Sequence, residues 1–148
     1  MFPYFASPNT ELQTVAESVE LAGAPEAVWA VIGSFNIDWH PLIASVRLIG
    51  QGIGQLRRIE TRDGNEVVER LEETDDKKWF YRYTLVAGMP ASHYSGVVEL
   101  KAKGAGCVAD WRVQYLANDQ PDIAVKTRVS TLLKTGLQSL GSRFGAAT

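Results

Sequence analysis

The sequence predicts an α+β fold, in which a curved antiparallel sheet of seven strands is covered by one long C-terminal helix. Two observations lead to this fold class. Seven β-like runs occur, and the last six follow one another with no helix between them. A single long amphipathic segment then closes the chain. With 148 residues, 45% of them hydrophobic and 22% charged, we expect residues 1–148 to form one domain with its own core.

A strand and two short helices are predicted at the start. Alternating polar and apolar residues indicate a strand over Gln13–Leu21. Ala24-Pro25-Glu26 begins a short helix, because proline is tolerated in the first helical turn, and Gly33 ends it. A second short helix is predicted within Phe35–Ile43. It should end at Asp38-Trp39-His40-Pro41, because proline disfavours helix in the residue before it.

Turn signals divide the middle of the chain into six further strands. Asp63-Gly64 is a hairpin dipeptide that supplies positive φ cheaply, and Gly104-Ala105-Gly106 marks a second sharp loop. Successive strands without helices indicate an antiparallel meander, which buries one face and exposes the other. The six predicted strands are Ser45–Ile49, Gln55–Thr61, Glu66–Glu73, Trp79–Val86, Tyr94–Lys101 and Val108–Ala117.

The buried face of this sheet needs a cover, and Pro121–Phe144 is the candidate. Asn118 or Asp119 is suited to cap this helix, and Pro121 stands near its start. At a rise of 1.5 Å per residue the helix would be roughly 36 Å long, enough to cross the sheet. Its apolar stripe contains Val125, Val129, Leu132, Leu133, Gly136, Leu137, Leu140 and Phe144.

Charge and hydropathy argue against nucleic-acid and membrane partners. Fifteen basic and seventeen acidic residues give a formal net charge of −2, and no basic stripe appears. The apolar start Met1–Phe5 lacks a basic n-region, so we expect no signal peptide, and no transmembrane-length apolar run follows. The single Cys107 cannot form an intramolecular disulfide, which fits a reducing compartment. The expected location is cytoplasmic.

Motifs for metals, nucleotides and nucleophilic catalysis are absent from the sequence. Two histidines and one cysteine lie far apart and offer no zinc spacing. The glycines of Gly50–Gly54 lie between two strands, without the helix N-terminus that a phosphate loop requires. No Gly-x-Ser-x-Gly elbow is present. We therefore expect no metal and no cofactor.

Several short motifs, taken in order, carry a family resemblance. The motifs are Trp29–Phe35, Asp38-Trp39-His40-Pro41, Gly54-Gln55-Leu56-Arg57, Asp63-Gly64, Val68-Glu69-Arg70-Leu71, Asp75-Asp76, Tyr81-Arg82-Tyr83 and Trp111. Together they resemble the polyketide cyclase/dehydrase-like branch of the START/Bet v 1-like (SRPBCC) superfamily, over about residues 13 to 144. The resemblance implies a helix-grip fold, with a ligand cavity between the sheet and the C-terminal helix.

The chain is more distantly similar to the plant abscisic-acid receptors. Glu69-Arg70-Leu71 matches a motif that puts its glutamate into the hormone pocket of those receptors. Two departures remove the hormone-sensing loops: the turn Thr61–Asn65 is shorter than the receptors' gate, and Met89-Pro90-Ala91 replaces their latch. We therefore do not expect a hormone-type gate, because no loop is long enough to close over the mouth.

Strand alternation identifies the residues of the buried face. Tyr81 and Tyr83 alternate with Arg82, so the side without arginine is expected to face inward, and the same reasoning orients Trp111 and its neighbours. Buried phenols need hydrogen-bond partners, which favours a ligand-lined cavity over plain packing. The resemblance implies that Tyr94 also faces inward. The candidate ligand-binding residues are Trp39, His40, Arg57, Ile59, Glu69, Leu71, Tyr81, Tyr83, Leu85, Met89, His93, Tyr94, Trp111, Val113, Tyr115, Leu132, Leu133 and Gly136.

Arg57 and Glu69 lie on adjacent predicted strands, and two interpretations stay open for them. If both face inward, they form a buried pair that can anchor a ligand carboxylate or hydroxyl. If both face outward, they form an exposed ion pair of little energetic consequence. His40 and His93 are candidate acids or bases. A structural or rim role is favoured for both, although the loop setting of His93 favours contact with an entering ligand.

These features predict a protein that binds a small hydrophobic molecule, such as a lipid or polyketide, as a carrier, sensor or chaperone. The alternative is a cyclase or dehydratase that moves protons with Arg57, Glu69, His40 or a tyrosine. A protein-docking role for the loop Gly88–His93 is a third hypothesis. Catalytic residues, the identity of the ligand and the oligomeric state, monomer or dimer, are left open by the sequence.

Overall fold

The computed structural model describes residues 11–117 and 122–146. The proposed cap at Asn118 or Asp119, Pro121 and the N-terminal segment Met1–Phe5 lie outside these residues. In chain order the elements are β1 (Gln13–Leu21), α1 (Pro25–Ile32), β2 (Ile43–Ile49), β3 (Leu56–Thr61), β4 (Glu66–Asp75), β5 (Phe80–Ala87), β6 (Ala91–Lys103), β7 (Gly106–Ala117) and α2 (Asp122–Phe144).

The seven strands form one antiparallel sheet in the order β1-β7-β6-β5-β4-β3-β2. Strands β2 to β7 are an uninterrupted meander, and β1 joins at the far side by pairing with β7. This arrangement confirms the predicted fold class. It also follows from the sequence, because short polar turns link neighbouring strands and favour antiparallel pairing of consecutive runs.

Helix α2 lies against the inner face of the sheet through the stripe that its spacing predicts. Five apolar side chains of the stripe are between 0% and 4% exposed, and the helix contacts β1 and β7. The five are Val125, Val129, Leu133, Leu137 and Leu140. Their burial supplies most of the helix's stability, because a helix of this length is held by tertiary packing more than by propensity.

The second short helix predicted within Phe35–Ile43 is not present. Residues 36–42 instead form two consecutive tight turns, in which the His40 N–H donates to the Ile37 carbonyl (3.1 Å) and the Ile43 N–H donates to the His40 carbonyl (3.1 Å). Pro41 explains the difference, because it has no N–H to donate and disfavours helical geometry at His40. The short helix α1 is present, and it begins with Pro25 as predicted.

The inward faces predicted for β5 and β7 from strand alternation, and for β6 from the family resemblance, are correct. Tyr81, Tyr83 and Trp111 are each 1% exposed and face helix α2, whereas Arg82 and Arg112 lie on the outer face. Strand β6 begins before the predicted Tyr94 and contains a bulge between Ser92 and Ser95. The bulge re-aims the strand so that Tyr94 enters the interior.

Candidate functional site

A cavity of about 550 Å³ lies between the sheet and the N-terminal half of α2. This volume is within the usual range for small-molecule pockets. The walls come from the 36–42 turn, the β3–β4 hairpin, β5 to β7 and the helix. The lining residues are Ile37, Leu42, Ile43, Ile59, Thr61, Arg62, Asp63, Val67, Glu69, Tyr83, Met89, Tyr94, Trp111, Arg128, Val129, Thr131 and Leu132.

A buried ion pair lies at the cavity floor, the part of the wall formed by Glu69, Tyr83 and Tyr94. Arg57 on β3 and Glu69 on β4 are direct cross-strand partners, with Arg57 Nε 2.8 Å from Glu69 Oε1. Arg57 is completely buried and Glu69 is 5% exposed. Of the two arrangements open from the sequence, the inward-facing pair is therefore the correct one. Only Glu69 reaches the cavity wall, and Arg57 lies behind it.

Arg57 is enclosed by hydrogen-bond acceptors and aromatic rings. Its Nη1 donates to the Phe35 carbonyl (3.2 Å) and to the Tyr81 hydroxyl (3.1 Å). Its guanidinium carbon lies 4.2 Å from the centroid of the Phe35 ring and 4.6 Å from that of Tyr83. A guanidinium tolerates burial best when carboxylate, carbonyl and ring faces share its charge. The arginine therefore supports the floor of the cavity and does not line it.

Burial raises the pKa of the Glu69 carboxyl above its ordinary value, although the charge and hydrogen bond of Arg57 act in the opposite direction. The neighbouring phenols respond similarly. Burial, and then the charge of Glu69, raise the pKa of both Tyr83 and Tyr94, so both hydroxyls keep their protons at neutral pH. The floor thus combines one carboxyl group with two phenol hydroxyls in an otherwise apolar cavity.

Tyr83 is fixed in place by a neighbouring strand and by a tryptophan. Trp111 Nε1 donates a 2.9 Å hydrogen bond to the Tyr83 hydroxyl. Gly96, the cross-strand partner of Tyr83, leaves the space that the phenol ring occupies, since a Cβ atom there would overlap the ring. The glycine is therefore required by a close approach, because it leaves room for the Tyr83 ring against β6.

His40 lies beside the cavity and has a structural role. The Leu42 N–H donates to His40 Nδ1 (3.1 Å), so the proton is on Nε2, which donates to the Leu132 carbonyl of α2 (2.7 Å). The imidazole also packs edge-on against Trp111, with centroids 5.9 Å apart. Both nitrogens are thus used, and the ring joins the 36–42 turn to the helix. It does not line the cavity.

His40 is expected to make folding stability sensitive to mild acid. Burial, with a smaller contribution from the charge of Arg57, lowers the pKa of His40, although the Leu132 carbonyl opposes this. In the unfolded chain His40 takes up a proton near pH 6.5, whereas in the folded chain it does so only at lower pH. The free energy of unfolding therefore falls as the pH drops through and below 6.5. Urea unfolding of wild type and His40→Asn between pH 7.5 and pH 5 measures the effect.

The difference between the two proteins isolates His40, because Glu69, with its raised pKa, contributes the opposite slope to both. The wild type should lose stability relative to His40→Asn as the pH falls. His93→Asn is the matched control, since His93 is exposed on β6. Parallel pH profiles for wild type and His40→Asn would show that the imidazole carries no such penalty.

The β3–β4 hairpin forms the rim of the cavity mouth. Thr61, Arg62 and Asp63 line the entrance, and Asn65 faces Arg128 of α2. With its oxygen turned toward the helix, the Asn65 amide accepts hydrogen bonds from the Arg128 guanidinium, through Nη2 and through Nη1 at 2.7 Å. The hydrogen bond from Thr61 lowers the pKa of Asp63, which keeps a negative charge near Arg128. Although the hairpin is short, as predicted, it reaches the helix and borders the mouth.

Seven of the predicted ligand-binding residues line the cavity. They are Ile59, Glu69, Tyr83, Met89, Tyr94, Trp111 and Leu132. Five others lie nearby in the layer behind or beside the wall. Arg57 and Tyr81 are behind Glu69 and Tyr83, and His40, Trp39 and Gly136 form the contact between the 36–42 turn and the helix.

The remaining six predicted residues do not line the cavity. Leu71, Val113, Tyr115 and Leu133 face inward as expected, but the space beside them is filled by the core. Leu85 is half-buried and packs at the edge of the core, and His93 is exposed at the β6 bulge. Alternation predicts the face of a strand correctly. It does not predict how far the cavity extends along that face.

Ten residues that line the cavity, most of them at its mouth, were not predicted from the sequence. Strand alternation could have identified Val67, since it lies two residues before Glu69 on the same face of the strand. Val129 belongs to the recognised apolar stripe of α2. The other missed residues carried no such signal, because their position depends on how turns and helix dock: Ile37, Leu42, Ile43, Thr61, Arg62, Asp63, Arg128 and Thr131.

Comparison with known families agrees with this architecture. The family described as polyketide cyclase / dehydrase and lipid transport matches residues 13–145. The chain belongs to this family. Its fold is that of the START/Bet v 1-like superfamily, with the helix-grip arrangement that the sequence resemblance implies. A search of curated proteins gives no significant match.

Several solved structures have the same fold. XoxI from Bacillus cereus is 28% identical, with a TM-score of 0.82 over 88% of this chain and 94% of that one. A protein from Thermobifida fusca is 26% identical, with a TM-score of 0.79 over 89% and 93% of the two chains. Ara h 8.0201, at 16% identity and a TM-score of 0.72 over 90% and 98%, shares the fold alone.

Within residues 11–117 and 122–146, no three histidine, cysteine or acidic side chains come together as metal ligands. Over the same residues, no helix is long and apolar enough to cross a lipid bilayer.

Proposed function

We propose that this protein binds a small, mostly apolar molecule in the cavity between the sheet and α2, as a carrier, sensor or chaperone. The observation that carries the proposal is the cavity itself: about 550 Å³ enclosed mainly by aliphatic and aromatic side chains, with few polar groups. Transfer of an apolar ligand from water into such a cavity is favourable in free energy. The cytoplasmic location suggested by the single cysteine remains a prediction.

A titration with pyrene tests this proposal, because its fluorescence reports transfer into an apolar site. The wild type should bind pyrene, and Val67→Trp should weaken binding at least about tenfold by placing an indole inside the cavity. Val86→Trp is the matched control: the same substitution on the adjacent strand, at a side chain that is 49% exposed. Equal pyrene binding by wild type and Val67→Trp would place the site elsewhere and overturn the proposal.

An enzyme of the cyclase or dehydratase type is the second candidate, and Glu69 is the observation in its favour. A carboxyl group whose pKa is raised by burial, lying in a cavity, is suited to donate or accept a proton. Tyr83 and Tyr94 could then hydrogen-bond to a developing enolate. Mass spectrometry separates the two candidates, since a carrier returns its ligand unchanged and an enzyme does not.

A further inference from the structure

The ionisable groups that line the cavity are divided between its floor and its mouth. Among the described lining residues, the ionisable groups at the buried end are the Glu69 carboxyl and the phenols of Tyr83 and Tyr94. Arg62, Asp63 and Arg128 lie at the mouth, where Arg62 Nε donates to the Pro41 carbonyl (2.7 Å) and Arg128 faces Asn65 and Asp63. The electrostatic character of the buried end is therefore that of a carboxyl group.

Arg57 does not convert this end into a site for anions. The side chain is 0% exposed and is separated from the cavity by Glu69 and by the Tyr83 ring. Its Nε and Nη1 already donate to Glu69, Phe35 and Tyr81. Its Nη2 finds no acceptor among the described residues, but it is fully enclosed in the protein. A ligand carboxylate would meet Glu69 before it could reach the guanidinium.

The floor offers hydrogen-bonding positions of both kinds. Oε1 of Glu69 is taken by Arg57, and its second oxygen has no hydrogen bond in the described part of the chain. The Tyr83 hydroxyl accepts from Trp111, which leaves its proton free to donate. The Tyr94 hydroxyl also lines the cavity without a hydrogen bond to another described residue. One acceptor and two donors are thus presented to a single buried end.

Resting on the proposed function above, we infer that the cavity selects neutral molecules that carry an alcohol or phenol hydroxyl at their buried end, and rejects carboxylates. A hydroxyl both donates and accepts, so it can donate to Glu69 while it accepts from Tyr83 or Tyr94. A hydrogen bond to a buried charged group is among the stronger ones. The apolar remainder of the ligand then lies against Ile59, Val67 and Val129.

A carboxylate at the same position is opposed by like charge. Two carboxylates that share a buried site cannot both stay ionised without a large penalty, so one of them must take up a proton. Burial already raises the pKa of Glu69, and a second anion would raise it further. A ligand that lacks a donor leaves the Glu69 oxygen without a partner, which is also unfavourable.

Three pyrene derivatives that differ only in the substituent at position 1 test this inference. Wild type should bind 1-hydroxypyrene at least about tenfold more tightly than 1-methoxypyrene, and 1-pyrenecarboxylate most weakly of the three at pH 7. Equal affinities for all three would overturn the inference while leaving the proposed function in place. Failure of pyrene and every derivative to bind would overturn both. Tighter binding of the carboxylate would also overturn the inference, and it would show that Arg62 and Arg128 at the mouth set the selectivity.

Glu69→Gln identifies the group responsible. This variant should lose most of the preference for 1-hydroxypyrene and bind 1-pyrenecarboxylate more tightly than wild type does, because the charge of Arg57 is no longer neutralised. Glu73→Gln is the control, since Glu73 lies on the same strand and makes an exposed 2.8 Å pair with Arg82. Unchanged selectivity in a folded Glu69→Gln would contradict the inference. If this variant does not fold, the wild-type series decides alone.

Discussion

Arg57→Ala is expected to lower the free energy of unfolding by about 3–5 kcal/mol, since it leaves Glu69 as an unpaired buried carboxylate. The hydrogen bonds to Phe35 and Tyr81 are lost with it, as is the packing of the guanidinium against two rings. Urea or guanidinium unfolding at pH 7 measures the change. The same experiment shows how strongly the fold depends on the polar floor of its cavity.

The chain contains its own control for this experiment. Arg82 and Glu73 also form a cross-strand pair at 2.8 Å, but on the outer face, where the two side chains are 36% and 55% exposed. Arg82→Ala should cost less than about 1 kcal/mol. Replacing both buried partners, Arg57→Met with Glu69→Leu, should recover much of the lost stability. Similar costs for Arg57→Ala and Arg82→Ala would contradict the buried-pair account.

Gly136→Ala is expected to destabilise the protein by about 1–3 kcal/mol, although alanine is the better helix former. A Cβ atom at Gly136 would lie 2.7 Å from His40 Cδ2 and 2.9 Å from Trp111 Cζ3. Neither ring can move easily, because His40 is hydrogen-bonded through both nitrogens and Trp111 is 1% exposed. The glycine therefore sets how closely the 36–42 turn approaches the helix.

A second glycine of the same helix gives the opposite prediction. Nothing lies within 4 Å of the position that a Cβ atom would take at Gly141. Gly141→Ala should therefore stabilise the protein by up to about 1 kcal/mol through helix propensity alone. Thermal unfolding of the two variants measures both signs. Stabilisation by Gly136→Ala would show that His40 and Trp111 do not pack against the helix as described.

More of the fold than of the candidate site could be predicted from the sequence. The turn residues and the period-2 pattern were enough to predict all seven strands, and the apolar stripe predicted α2. Tyr81, Tyr83 and Trp111 could be oriented because arginines alternate with them. For Arg57 and Glu69 the pattern did not decide which face of the sheet the pair occupies, because a cross-strand ion pair is compatible with either face. The three-dimensional packing places both side chains inside.

The residues at the mouth of the cavity could not be predicted, for a different reason. Leu42 and Ile43 enter the cavity wall because the 36–42 turn docks on α2 through His40, a contact between residues 92 positions apart. Arg128 reaches the rim because the hairpin bends toward the helix, where Asn65 meets it. Such long-range docking leaves no local signal. For this reason local patterns predicted part of the floor of the cavity and little of its mouth.

The position of bound 1-hydroxypyrene, determined by crystallography or by NMR contacts to side chains, tests the central claim most directly. We expect the rings to lie inside the cavity against Ile59, Val67 and Val129, with the hydroxyl oxygen within hydrogen-bond distance of Glu69. Rings bound on the outer face of the sheet, or a hydroxyl turned outward to Arg62 and Arg128 at the mouth, would contradict it.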